Sequence, residues 1–383
     1  MRVLLATTAG AGHVGPLVPV AHALVDADHD VRVAAPASFA PVVRRAGLTH
    51  VPFADAPPEE LGAVFAQVPS LSRLDSNALV IREAFGRINT RAALPGVRRI
   101  VAEWRPDVVV REPAELASYV VAVETGTPQA QVAIGLRSFE EFIEPLLDEP
   151  LRAHGCTTGA DGLATAPRLT SVPERLDTPR RGGPVHRFRG DEVDHEAAPL
   201  PDWWGDDSEP LVYVSFGSVA GGLPQFRGLY ADVVAALADV PARVLLTVGE
   251  AGDPDALGAA PRNVHVERWW PQPDVMPHAS AMVGHGGFGT TMAGLAAGVP
   301  MVVVPLFSSD QFLNAARVQD IGAGVALDGA DAMAALPGAV QRVLAETSFG
   351  RAAGEVAADV AALPPVSSCV AVVERLVLRD ADR

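Results

Sequence analysis

The chain has 383 residues, 46 Asp and Glu against 30 basic residues, a formal net charge of −16, and no lysine: all 30 basic residues are arginine. Without lysine there is no P-loop lysine for a nucleoside triphosphate, no pyridoxal Schiff base and no lysine nucleophile. The acidic balance argues against DNA or RNA as partner, because nucleic-acid binding neutralises phosphates with positive charge.

At about 150 residues per domain the length suggests two domains. Arg2–Ala6 reads as a buried strand, too short and too soon followed by Gly10, Gly12 and His13 to be a secretory signal. In the first half, strands are expected at Val31–Ala35 and Asp107–Val110. Helices are expected at Pro16–Asp26 and Phe39–Ala46, with a helix-rich region over Glu59–Glu103. Glu196–Pro210 (EAAPLPDWWGDDSEP) is acidic, proline-rich and aperiodic, and reads as a linker. The second half repeats the plan, with strands at Leu211–Ser215, Arg243–Val248, Val264–Glu267, Ala281–Gly284 and Met301–Pro305. Helices follow at Ser348–Ala362 and, after Pro364-Pro365, at Val366–Leu378. Met292–Phe307, the most apolar stretch, is interrupted by Pro300 and Pro305 and does not read as a membrane span. Cys156 and Cys369 read as free thiols, and the chain as cytoplasmic. The fold class expected is α/β, with two Rossmann-like doubly wound domains facing a cleft. Residues 1–199 form the first, 200–210 the linker and 211–365 the second, with a C-terminal helix (366–383) packing back on the first.

Gly10–Gly15 (GAGHVG) formally matches G-x-G-x-x-G after a strand, which would suggest a dinucleotide site. Val31–Ala35, however, runs into Pro36 and Ala37 where the ribose-binding acid belongs, and His13 stands where a small residue is needed. The alternatives are a tight turn that presents His13 to a ligand, or a histidine that caps the next helix.

The most informative segment is Arg268–Arg317. A strand ending at Gly284 delivers HGGFGTT to a helix start, so unpaired amides and the positive helix end can hold a diphosphate without lysine. The ordered set Trp269-Trp270-Pro271-Gln272, His285-Gly286-Gly287-Phe288-Gly289-Thr290, Pro300, Pro305 and Asp310-Gln311 resembles the donor signature of a known family. That family is the nucleotide-sugar glycosyltransferases of the UDP-glycosyltransferase superfamily, and within it the actinobacterial branch that glycosylates macrolides, enediynes and other polyketide antibiotics. The likeness spans almost the whole chain and is weakest over Ala54–Thr90 and Ser138–Arg189.

The resemblance implies a GT-B fold. It also implies that His285, Gly287, Gly289, Thr290 and Ser218 contact the diphosphate, that Trp269 stacks on the base beside Gln272, and that Asp310 and Gln311, a pair of exposed polar residues, bind sugar hydroxyls. Trp270 is expected to pack. Plant relatives carry a ribose-binding glutamate where this chain has Ala293, which favours a thymidine over a uridine diphosphate sugar.

Displacing a diphosphate from an anomeric carbon requires a base at the nucleophile, which His13 can supply. Glu112 matches the family acid that orients this histidine. Its bland reading is a solvated charge beside Arg111, with Glu115 as the substitute. In-line displacement implies inversion. No metal site is expected, because Asp-x-Asp matches read as solvated charges and no histidines form an i, i+4 pair. Leu61, Phe65, Phe85, Phe139 and Phe142, with Val64 and Leu71, are candidates for an apolar acceptor site and serve equally as ordinary core.

The expected activity is therefore inverting, metal-independent transfer of a (deoxy)sugar to a hydroxyl of a small apolar natural product. No cofactor is called for beyond the nucleotide-sugar co-substrate, and a homodimer stays open. Two readings compete: a nucleotide-sugar epimerase on the same fold, and a non-catalytic partner of an active transferase.

Overall fold

Fully buried strands read as continuous apolar runs, and their side chains serve two cores alternately. In strand β1 (Arg2–Ala6) Val3 and Leu5 enter one core, while Leu4 and Ala6 enter the core on the opposite face of the sheet. The computed structural model describes residues 1–177, 182–190, 209–218, 220–226 and 228–381. It divides into two units, Met1–Asp191 with Leu363–Arg383, and Glu192–Ala362.

The first unit is a seven-stranded parallel sheet in the order β3-β2-β1-β4-β5-β6-β7. Its remaining strands are β2 (Asp30–Pro36), β3 (Thr49–Phe53), β4 (Val108–Arg111), β5 (Gln129–Val132), β6 (Arg168–Thr170) and β7 (Val185–Arg187). The second unit is a six-stranded parallel sheet in the order β10-β9-β8-β11-β12-β13. It comprises β8 (Leu211–Ser215), β9 (Arg243–Thr247), β10 (Val264–Glu267), β11 (Ala279–Gly284), β12 (Met301–Val303) and β13 (Gly324–Ala326). Strand order reverses between β1 and β4 in one sheet and between β8 and β11 in the other. At such a reversal the loops leaving the two central strands diverge and open a crevice at their carboxyl ends.

Five strands escape the sequence reading, for physical reasons. Pro52 makes Thr49–Phe53 look unlike a strand, but β3 is an edge strand, where a missing N–H is tolerated. In β5 and β6 the polar residues Gln131 and Arg168 can be buried because both donate to Glu140 and Gln131 also accepts from Arg111, so hydropathy does not mark them. The outer strands β7 and β13 have only three residues each. The helix-rich region resolves into helices Pro58–Phe65, Arg73–Leu79 and Thr90–Trp104, with a π-helical segment Val80–Asn89 that local propensity does not announce. Most of the expected linker, residues 196–208, lies outside the described residues.

The C-terminal helix Ser368–Ala381 belongs to the first unit. Cys369 and Val373 are fully buried in the same core as Leu17, Val20 and Val108. Arg189 N–H donates to the Pro364 carbonyl at 2.8 Å, which joins the chain leaving β7 to the approach of this helix. Val373→Ala should therefore cost about 2 kcal/mol of stability. It would be read as a lower urea midpoint at unchanged slope. Leu378→Ala, at a side chain 65% exposed, should change nothing. Equal midpoints for all three proteins would detach this helix from the core.

Candidate functional site

The loops at the first reversal carry His13 and Glu112. The chain leaves β1 through Thr7 and Thr8, turns at Gly10, and forms one helical turn, Ala11–Val14, that includes His13. A side chain at Gly10 would meet His13 Cδ2 at 2.9 Å, so glycine is needed there for the imidazole to lie back on the turn. Glu112 directly follows β4, its N–H donating to the Ala6 carbonyl at 3.2 Å, which continues the β1–β4 ladder.

Glu112 is fully buried. Its Oε1 accepts from Thr8 N–H at 3.0 Å and the Thr8 hydroxyl at 2.9 Å, and Ala114 N–H donates to Oε2 at 2.6 Å. His13 Nδ1 stands 3.2 Å from the same Oε1 and 3.1 Å from the Thr8 hydroxyl oxygen. Burial alone would push the carboxyl up. The charge and hydrogen bond of His13 and the amides of Thr8 and Ala114 outweigh it and hold Glu112 below the usual carboxylate range. An ionised carboxylate only accepts, and the Thr8 proton is already given to it, so the shared proton sits on Nδ1. Nε2 is then the basic nitrogen of the neutral ring.

Neither Glu112 nor Arg111 is a solvated charge. Arg111 is fully buried and donates to the Glu112 carbonyl at 3.2 Å and to Gln131 Oε1 at 3.1 Å, with its guanidinium 5.1 Å from the Tyr119 ring centroid. Glu115 is no substitute. It accepts from Ala117 N–H at 3.1 Å, Ser118 N–H at 3.0 Å and the Ser118 hydroxyl, and so caps the helix Ala117–Thr125. Burial raises its pKa, and the Ser118 bonds oppose this only in part. Thr8 is the residue that sequence reasoning passed over. Its signal, a hydroxyl between a strand and a glycine turn, gains meaning only once Glu112, 104 positions away, is placed beside it.

Of the acceptor candidates, Phe85 lies at the site. It sits on the π-helical segment with its ring stacked on His13, centroids 6.0 Å apart and planes at 27°. Leu61 packs on a small cluster of Val64, Ala84 and Ile88, and Phe139 packs partly buried on the main core. Phe65 and Phe142 are about half exposed.

The second reversal carries the loops Phe216-Gly217-Ser218 after β8 and His285-Gly286-Gly287 after β11. Side chains at Gly217 and Gly287 would meet the His285 ring at 2.7 Å and 2.4 Å, so the imidazole is gripped between two glycines. Burial there pulls its pKa down to about 4, with the Ser215 backbone opposing weakly, and the ring is neutral near pH 7. Gly286 has φ +81°, in the left-handed region. The helix Phe288–Ala296 starts next, and Thr291 is the first residue to donate within it, to Gly287. The N–H groups of Gly287, Phe288, Gly289 and Thr290 therefore have no intrahelical partner, and the positive end of the helix lies there.

Gln272 donates to the Thr290 hydroxyl at 3.4 Å, which joins the W-x-P-Q and H-G-G-x-G-T motifs. Trp269 is 59% exposed and Trp270 is half-buried; Ser218 and Gly289 are exposed. The expectation of an exposed Asp310–Gln311 pair needs correction. Asp310 is half-buried and accepts from the Ser308 hydroxyl, and Gln311 is 4% exposed. The Gln311 Oε1 accepts from Leu306 and Phe307 N–H at 2.9 and 3.1 Å, so its oxygen is committed to its own loop. Among the described residues no group of His, Cys, Asp or Glu side chains is arranged to hold a metal ion, and no helix is long and apolar enough to cross a membrane.

Models of the erythromycin biosynthesis protein CIII-like N-terminal and C-terminal domains match residues 22–170 and 231–377. The chain is 34% identical to L-demethylnoviosyl transferase of Streptomyces niveus over 85% of both chains. It is 29% identical to TDP-daunosamine transferase DnrS of Streptomyces peucetius, over 99% of this chain and 97% of that one. The crystal structure of the glycosyltransferase SnogD from Streptomyces nogalater matches with a TM-score of 0.74 at 27% identity, over 98% and 99% of the two chains. The chain belongs to the erythromycin biosynthesis protein CIII-like family and is a GT-B antibiotic glycosyltransferase.

Proposed function

We propose that this enzyme transfers a sugar from a thymidine diphosphate donor to a hydroxyl of an apolar natural product, with inversion and without a metal. The observation that carries the reading is the 3.2 Å contact between His13 Nδ1 and buried, ionised Glu112. Nε2 takes the proton of the acceptor hydroxyl as its oxygen bonds to the anomeric carbon and the bond from that carbon to the diphosphate breaks. Glu112 stabilises the imidazolium that forms. A single displacement from the face opposite the leaving group inverts the centre. Phe85, stacked on His13, offers an apolar face to the acceptor, with Leu61, Phe65, Phe139 and Phe142 as candidates further out.

On the donor side, the helix-start amides at Gly287 and Gly289, the Thr290 hydroxyl, Ser218 and His285 receive the diphosphate charge, a task preorganised dipoles perform without a metal. Exposed Trp269 offers its face to the base, with Gln272 beside it. Asp310 reads sugar hydroxyls; from Gln311 only the amide nitrogen is left for this, since its oxygen is engaged. Ala293 at the position of the plant ribose-binding glutamate, and the similarity to a TDP-daunosamine transferase, both support thymidine over uridine. Residues 1–199 then form the acceptor domain and residues 211–365 the donor domain.

Incubated with a thymidine diphosphate sugar, the enzyme should release thymidine diphosphate only when an aromatic or polyketide alcohol is added. Release without acceptor would overturn the proposal. His13→Ala should lower kcat by about 10²- to 10⁴-fold while leaving the Kd for thymidine diphosphate within about twofold. Parallel loss of binding and turnover would make His13 structural. Trp269→Ala should weaken thymidine diphosphate by about 5- to 150-fold in calorimetric titration; an unchanged Kd would remove the stacking role.

His285 also predicts an acid response. Its folded pKa of about 4 lies below the ordinary 6.5, so the unfolded chain takes the proton first. The stability this neutral ring allows is complete above about pH 6.5 and declines as pH falls towards 4, by up to about 3 kcal/mol. Urea titrations of His285→Gln should show a shallower decline across that window than the parent, and identical slopes would refute the assignment.

A further inference from the structure

Asn314 lies in the helix Ser309–Asp320, is 4% exposed, and is not a member of the donor signature. Its side-chain amide donates to the Gly286 carbonyl at 2.7 Å. Burying an amide in a helix face costs free energy unless its bonds are made, so leucine would be the ordinary choice at this position. The peptide it holds is the link between Gly286 and Gly287, and a trans peptide is planar with its C=O and N–H pointing in opposite directions. With the carbonyl drawn towards Asn314, the Gly287 N–H is turned the other way, away from Asn314. The same helix fixes the turn a second time, because a side chain at Gly286 would meet the Gln311 carbonyl oxygen at 2.6 Å. Gln311 and Asn314, three residues apart on one helix face, thus grip two loops. Gln311 takes the amides of Leu306 and Phe307, and Asn314 takes the Gly286 carbonyl.

We propose that Asn314 is a positioning residue for the diphosphate, acting through the Gly286–Gly287 peptide, whose orientation it sets before the donor arrives. The inference rests on the donor reading above. A residue that merely satisfies a buried carbonyl would affect stability alone. One that aims an amide at phosphate affects ligands with a diphosphate and spares those without.

The test compares thymidine diphosphate with thymidine on the full chain by ligand-observed NMR and calorimetry. In Asn314→Leu, close in size but unable to donate, affinity for thymidine diphosphate should fall at least about tenfold, as expected on losing a hydrogen bond to a charged group, while affinity for thymidine stays within about twofold. Asn314→Ala, which leaves room for a water to bond the carbonyl, should show the same selective loss to a smaller degree and serves if the leucine variant does not fold. Equal affinities in parent and variants, or equal loss of both ligands, would overturn the positioning role and leave the donor reading standing. Failure of the parent itself to bind thymidine diphosphate would remove both.

Discussion

Everything at the two candidate sites depends on where strand order reverses. In each sheet one pair of central strands, β1 with β4 and β8 with β11, sends its loops to opposite sides, and the space between those loops is where side chains from distant segments meet. Register makes the loops level. Ala6 pairs with Arg111 and Gly284 with Ser215, so Thr8 and His13 reach Glu112 in one unit and Gly217 reaches His285 in the other. A one-residue slip of β4 would carry Glu112 to the other face of the sheet, and His13 would lose its carboxylate.

The two histidines show how surroundings divide the work of one residue type. His13 faces a buried carboxylate held ionised by two backbone amides and a hydroxyl, which fixes its proton on Nδ1. His285 is packed between glycines, where burial favours the neutral ring. A similar split separates Glu112 from Glu115 three residues on. Burial raises both; at Glu112 it is outweighed by His13 and the amides of Thr8 and Ala114, whereas at Glu115 the Ser118 bonds and the charge of Arg111 do not outweigh it. The proposed diphosphate site thus uses backbone amides and a neutral imidazole in place of lysine, which reconciles an anionic donor with a chain of net charge −16.

The loops of the proposed donor site are held from behind. Gln311 sits in a motif whose family role is sugar binding, and the structure has it closing its own loop through its oxygen. Side chains that hold a recognition loop from within the fold are expected beside it, because amides help bind charge only when their direction is set beforehand. Thr8 does the same for the first unit, bonding Glu112 through both its hydroxyl and its amide.

The sequence by itself determined the strands β1 and β8 as apolar runs, β10 as valine alternating with polar His265 and Glu267, and the glycine-marked loops that follow central strands. It also determined the family, because W-x-P-Q, H-G-G-x-G-T and D-Q are local patterns carried by a short stretch of chain. The resemblance pointed to Glu112 as the partner of His13, with Glu115 as the substitute; tertiary structure alone decided that Thr8 joins them, that Phe85 stacks on the imidazole from a π-helical segment, and that Gln311 is buried. It also decided that polar Gln131 and Arg168 sit in strands, as partners in a buried network that includes Arg111 and Glu140. The physical reason is common to all of these. A side chain's charge state and role are set by what lies within a few ångströms, and the strand order brings those neighbours from up to 104 positions away.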